Sequence, residues 1–261
     1  MLTLRLHEVG ARYGRRMPLS GITTPELAGG EVTAVIGPNA AGKSTLLKRI
    51  AGLVGGPGRV EATAGPAGGR TRPPRICYLP QDSTANAVLT VYESVLLARK
   101  QGSGWRVDGE DLAKIDAVIA ALGLSAIAFR NIGELSGGQR QLAGLAQTLV
   151  REPDIMLMDE PTAALDLSRQ IEVLNHMRTL ARQSGIVVLI ALHDLNHALR
   201  FCDQAIVIAQ GGMVASGRVA EVITPALLRS VYGVEARIEP CSRGIGTLIV
   251  DGVSAAPPSA S

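Results

Sequence analysis

The stretch Gly37-Pro38-Asn39-Ala40-Ala41-Gly42-Lys43-Ser44-Thr45 limits what this chain can fold into more than any other. It follows a short apolar run, Val32-Thr33-Ala34-Val35-Ile36, and precedes Leu46-Leu47-Lys48-Arg49-Ile50, which has helical character. Strand, glycine loop and helix is the context that the pattern G-x-x-x-x-G-K-[ST] requires. A triphosphate needs several N–H donors converging on it, so the backbone must curl tightly. Glycines at 37 and 42 permit dihedrals that other residues resist. A helix beginning near Lys43 adds its positive dipole end. Lys43 would reach the β- and γ-phosphates, and the Ser44 hydroxyl would ligate Mg²⁺.

At 261 residues, 46% of them hydrophobic, the chain suits one large domain or a core with an insert. Its 26 basic residues nearly cancel its 23 acidic ones, so a formal charge of +3 argues against a nucleic-acid partner. Aromatics, at 3%, offer few stacking platforms for bases. Cys77, Cys202 and Cys241 are far apart and lack metal-ligand spacing, which reads as reduced thiols in a cytoplasmic protein. No stretch approaches the run of about 18 apolar residues that a membrane span needs. The alternating N-terminus, Met1-Leu2-Thr3-Leu4-Arg5-Leu6, reads as a strand and lacks the apolar core of a signal peptide.

Residues 2–36 read as β-structure, with a turn at Tyr13-Gly14. Residues 55–74 are rich in Gly, Pro and Arg and read mostly as turn, with a short strand over 59–63. Residues 75–79 form a further strand candidate that ends at Pro80-Gln81. The spacing then becomes helical: Val91, Val95 and Leu96 share one face, and Leu112, Ile115, Val118, Ile119 and Leu122 another. Residues 101–105 separate these helices, and a helical insert is expected from about 86 to 150. Beyond it the β/α rhythm resumes. Strands are expected at 155–158, 186–191 and 204–208, and helices at 167–184 and 197–201. Thr224 caps a further helix with Pro225 at its first position. A small, Pro-rich tail over 255–261 reads as disordered.

Two later segments narrow the chemistry. Ile155-Met156-Leu157-Met158-Asp159-Glu160 is an apolar strand ending in two carboxylates. One acid can serve Mg²⁺ while the next polarises a water for in-line attack on the γ-phosphate. Leu135-Ser136-Gly137-Gly138-Gln139-Arg140-Gln141 opens a helix and offers a second anion-binding terminus, its hydroxyl and bare amides pointing outward. One nucleotide does not need two such cradles, but two copies can each close one over the other's nucleotide in a two-fold dimer.

This set of motifs resembles the ATP-binding cassette (ABC) ATPases over almost the whole chain. Residues 37–44 correspond to the Walker A loop, 135–139 to the signature, and Asp159-Glu160 to the end of Walker B. The resemblance implies an α/β P-loop NTPase fold with a mostly parallel core sheet, an N-terminal antiparallel β subdomain and an α-helical insert. It implies one ATPase domain over 1–240, with its core at 1–85 and 151–240, and a C-terminal strand and tail over 241–261. It also implies ATP and Mg²⁺ as cofactors, held by residues 37–45, with Ser44, Gln81 and Asp159 as metal ligands. Glu160, His193, Lys43 and Gln81 are the implied catalytic set. Tyr13 would stack on adenine; Ser136, Gly137, Gly138, Gln139 and Asp166, the last in the D-loop Ala164-Leu165-Asp166, would complete the nucleotide site. His7, His176 and His197 read as ordinary surface or core histidines. Many relatives have Gly where this chain has Ala40 and Ser where it has Ala163, which touches D-loop contacts and not catalysis.

A single cassette without membrane spans fits a separate subunit that feeds an importer. Leu192-His193-Asp194-Leu195-Asn196, Arg200-Phe201-Cys202-Asp203 and the stretch from Val222 to Val234 are similar to ATPases of importers for iron–siderophore, haem and cobalamin, closest to the ferric-siderophore type. The implied partners are a second copy head to tail, membrane permease subunits docking around residues 82–105, and indirectly a substrate-binding protein, at the cytoplasmic face of the inner membrane. A soluble ABC protein acting on DNA or protein, and a module that holds ATP without turning it over, stay open as alternatives.

Overall fold

The structure is a computed structural model describing residues 2–64, 73–81, 88–101, 104 and 106–254. Its centre is a six-stranded sheet. Four neighbouring strands run parallel: β5 (Val32–Ile36), β9 (Val187–Ala191), β8 (Ile155–Asp159) and β7 (Ile76–Leu79). β10 (Gln204–Ala209) extends the sheet beside β5 in parallel, and β11 (Gly212–Arg218) closes that edge antiparallel. Every residue of β5, β8 and β9 is buried, the pattern of strands covered on both faces.

Period-two alternation divides the strands' side chains between two layers. Val32, Ala34, Ile36, Met156, Met158, Val188 and Ile190 point toward the helices α2 (Val91–Lys100), α3 (Gly109–Ala121), α4 (Gly137–Leu149), α5 (Leu167–Ser184) and α6 (Leu195–Phe201). Val35, Ile155, Leu157, Leu189 and Ile206 face α1 (Lys43–Ile50) and the N-terminal β-structure. That β-structure comprises β1 (Leu2–His7) between β4 (Leu27–Ala28) and β6 (Arg59–Ala64), and the hairpin of β2 (Val9–Tyr13) and β3 (Arg16–Ile22). The alternation read in Leu4 and Leu6 is real: both are fully buried there.

The helices between β7 and β8 have identifiable starts. Thr90 and Glu93 form a reciprocal cap at α2, and Asp108 caps α3. Ile115, Ile119 and Leu122 bury the stripe expected of α3, but Leu112 lies 40% exposed, one position outside it. Arg99 and Lys100 at the end of α2 both bond the Asp111 carboxylate, at 2.9 and 2.8 Å, and tie the two helices together. These hydrogen bonds, from Lys100 and then Arg99, hold the Asp111 carboxyl down at about 2.

Past β10 the sequence reading is incomplete. β11 is unforeseen, and so is β12 (Val234–Pro240), which pairs with β13 (Gly246–Val253) in a separate hairpin. Thr224 does cap a helical turn, but that turn is short, α8 (Pro225–Leu227), and widens into a π-type turn over Leu228–Tyr232. Before it, α7 (Val219–Val222) follows β11 directly. Among the described residues no helix is long and apolar enough to cross a membrane. The tail over 255–261 and part of the docking stretch (82–87, 102, 103 and 105) lie outside the described residues.

Candidate nucleotide site

The segments that follow β5, β7, β8 and β9 all leave the same edge of the sheet, because those strands are parallel and adjacent. Carboxyl ends of neighbouring parallel strands are where α/β sheets build sites. Here they deliver the glycine loop, Gln81, Glu160 and His193. A cavity of about 440 Å³ is lined by residues 39–45 together with these three side chains.

The loop's shape follows from its glycines. Gly37 has φ +150, and a Cβ there would meet the Ile208 carbonyl at 1.9 Å. Gly42, at φ +112, stands at the start of α1 with no side chain capping the helix. The first amides of α1 are therefore left to an anion. Lys43 is buried, and its Nζ bridges the Gly37 and Pro38 carbonyls at 2.9 and 3.0 Å. Burial lowers its pKa below the ordinary lysine value, against the opposing pull of Glu160 and Asp159. Ala40 also has a positive φ, +62, in a position that an L residue adopts with strain.

The two acids ending β8 are placed differently. Asp159 accepts from Ser44 Oγ at 2.9 Å and from the Tyr78 hydroxyl at 3.0 Å. Glu160 stands at φ +51, and its carboxylate meets His193 Nε2 on one oxygen and Gln81 Nε2, at 2.8 Å, on the other. Strain of this kind at a positioned acid is common where chemistry is done. A hydroxyl and a carboxylate within hydrogen-bond distance form a hard oxygen set, of the kind Mg²⁺ takes together with phosphate oxygens. The residues present therefore fit that ion.

Ser136, Gly137, Gly138, Gln139 and Asp166 do not line this cavity. They form a separate corner of the molecule, where α4 starts against residues 164–165; a Cβ on Gly138 would lie 2.9 Å from the Ala164 carbonyl. Its amides are less bare than expected. Ser136 Oγ accepts from the Gln139 N–H, and the Gln139 side chain accepts from the Ser136 N–H at 3.0 Å, a reciprocal cap. Asp166 caps α5. Tyr13 ends β2, 46% exposed, and does not line the cavity either.

Two residues of the site escape a sequence reading. Tyr78 sits in an apolar strand, and its hydroxyl in such a run is the only sign of a polar partner. Gln141 is buried on α4 and joins that helix to the segment after β8, its side chain bonding both the Glu160 carbonyl and the Ala164 amide.

The ABC transporter family model matches residues 23–163. The chain belongs to the ABC transporter family. The hemin import ATP-binding protein of Bordetella avium (strain 197N) is 36% identical over 271 residues, covering 95% of this chain and 99% of its own. The iron(3+)-hydroxamate import ATP-binding protein of Bacillus subtilis (strain 168) is 34% identical over 244 residues, covering 91% and 90%. Among solved structures, the dimeric structure of a bacterial ABC transporter cassette is 26% identical. It superposes with a TM-score of 0.72 over 83% of this chain and 98% of that one. The resemblance read from the motifs therefore holds: the chain has the ABC ATPase fold, binds ATP and is an ATPase of the ABC type.

Proposed function

We propose that this chain is the ATP-hydrolysing subunit of a membrane importer and powers uptake of an iron–siderophore complex. The observation that carries the reading is the convergence of Glu160, Gln81 and His193 on the loop cavity, in a chain similar along nearly its whole length to an iron(3+)-hydroxamate import protein. The hemin import relative, equally extensive in its match, keeps haem as the second cargo, and cobalamin stays with it.

Each residue has a part in this reading. The amides of residues 37–45 and the Lys43 ammonium hold the phosphates, and Tyr13 stacks on adenine. Mg²⁺ would be held by Ser44, Asp159 and Gln81, and when bound it neutralises charge on the phosphate oxygens. Glu160 orients the attacking water, and His193, in contact with it, holds the γ-phosphate. Ser136, Gly137, Gly138, Gln139 and Asp166 serve the nucleotide of a second copy, since on their own chain they stand apart from the cavity. Two copies thus close head to tail over two nucleotides. The unit over about 86–150 moves with the signature and passes that closure to permease subunits at the cytoplasmic face of the membrane, with a binding protein delivering cargo outside.

The test is reconstitution of the chain with its permease in liposomes. Phosphate release should rise when a binding protein loaded with ferric siderophore is added, and should not respond to haem or cobalamin. Stimulation by haem alone would move the cargo assignment; activity indifferent to any permease would end the importer reading.

A further inference from the structure

Asp159, the last residue of β8, is 3% exposed. A carboxylate so deeply buried needs partners for its oxygens, and this one has two of different kinds. Ser44 Oγ donates to Oδ1 at 2.9 Å, and the Tyr78 hydroxyl donates to Oδ2 at 3.0 Å. Ser44 belongs to the proposed metal set itself, and it lines the loop cavity. Among the described residues, Tyr78 is the one side chain outside that set that bonds Asp159.

The register of the sheet makes this contact. β7 runs parallel to β8, with Tyr78 opposite Leu157 and Leu79 opposite Met158. Leu157 and Asp159 are two residues apart on one strand, so they share a face. Leu157 packs in the layer toward α1, and Tyr78 packs against that same layer. From its place opposite Leu157 the Tyr78 side chain must therefore reach two residues along the sheet, about 6.6 Å, to meet the carboxylate. A tyrosine spans that distance with a rigid ring and arrives with an O–H. A phenylalanine would cover the same apolar ground and offer the carboxylate no donor.

We infer that Tyr78 is a positioning residue for the metal of this site: its hydroxyl holds the Asp159 carboxylate, from the side away from Ser44, in the orientation that receives a divalent cation. The inference rests on the proposed placing of Mg²⁺ at Ser44 and Asp159 and is independent of the cargo. A partner of this kind fixes a ligating carboxylate before the ion arrives, and its loss typically costs roughly 10–100-fold in metal affinity.

The experiment titrates AMP-PNP by calorimetry into the full-length chain and into Tyr78→Phe, first in EDTA and then over a range of free Mg²⁺. In Tyr78→Phe the free Mg²⁺ that gives half of the metal-dependent gain in affinity should rise about tenfold. Affinity in EDTA should stay within about twofold, since the loop amides and Lys43 are untouched. A half-point within about twofold of the unaltered chain overturns the proposal. So does an equal loss with and without metal, which is what a hydroxyl that only supports the fold would give. A second measurement keeps the hydroxyl in place: 3-fluorotyrosine is put at position 78, and its ¹⁹F resonance should move when Mg²⁺ is added to the AMP-PNP complex. A resonance indifferent to the metal overturns the proposal as well. If AMP-PNP binding by the unaltered chain gains nothing from Mg²⁺, the metal assignment fails first and the proposal falls with it, a result visible without any variant.

Discussion

Gln141 donates its side-chain amide to the main-chain carbonyl of Glu160, at 2.8 Å. Its oxygen accepts from the Ala164 N–H at 3.1 Å, so one buried side chain of α4 spans the whole turn after β8. That turn contains the left-handed Glu160, a conformation that survives only where its surroundings hold it. Gln141→Leu leaves both groups without this partner and should destabilise the chain by about 1–3 kcal/mol. Urea denaturation reads the loss, and phosphate release should fall alongside it. Unchanged turnover would show that the turn holds Glu160 unaided.

Glu160→Gln preserves shape and removes the carboxylate that faces His193 and Gln81. ATP binding should persist while turnover drops by roughly 10²-fold or more, the scale of losing a positioned base. Turnover near that of the unaltered chain would take the base role away from Glu160.

Lys43→Ala should abolish nucleotide affinity in titration with a fluorescent ATP analogue. The lysine also links affinity to pH. Burial holds its pKa below the ordinary value, whereas bound phosphates favour the charged form, so binding raises the pKa again. ATP binding should accordingly take up protons at alkaline pH, and affinity should fall as pH rises through the lowered pKa. Without nucleotide the sign is reversed: stability should increase between that pKa and the unfolded lysine value. Calorimetry in buffers of different ionisation enthalpy measures the proton uptake.

Ala40 bears a backbone angle that suits glycine, φ +62. A left-handed L residue costs roughly 1–2 kcal/mol, and glycine gives back about 0.5–1 kcal/mol through its freer unfolded chain. Ala40→Gly should therefore stabilise slightly, by about 0.5 kcal/mol, raising the melting temperature by ~1–2 °C. Affinity for ATP should be kept, because the loop uses position 40 for its backbone. A lowered melting temperature would mean that the alanine methyl makes a packing contact worth more than the strain.

The loop and the acids that line this cavity were legible in the sequence because their pattern is local. A turn that presents several amides needs glycines at set intervals, and a strand that ends in acids shows as an apolar run closed by Asp159-Glu160. The long parallel strands and α5 were legible for the same reason, their periodicity being strong and their caps explicit. β11 was not: Gly212 and Gly217 dilute its pattern, and as an edge strand half of its face meets solvent. β12 was obscured likewise by charges at Glu235, Arg237 and Glu239, whereas a strand within 241–261, where β13 lies, was expected.

By itself, then, the sequence determined the glycine loop over 37–45, the acids, the order of the parallel strands' loops along the chain and the family to which the chain belongs. Only the tertiary structure decided which distant residues meet there: Tyr78 on Asp159 and Gln141 on Glu160. The physical reason is that such contacts depend on register between strands and on how helices cross, and a side chain's partner across space leaves no mark on its neighbours in the chain.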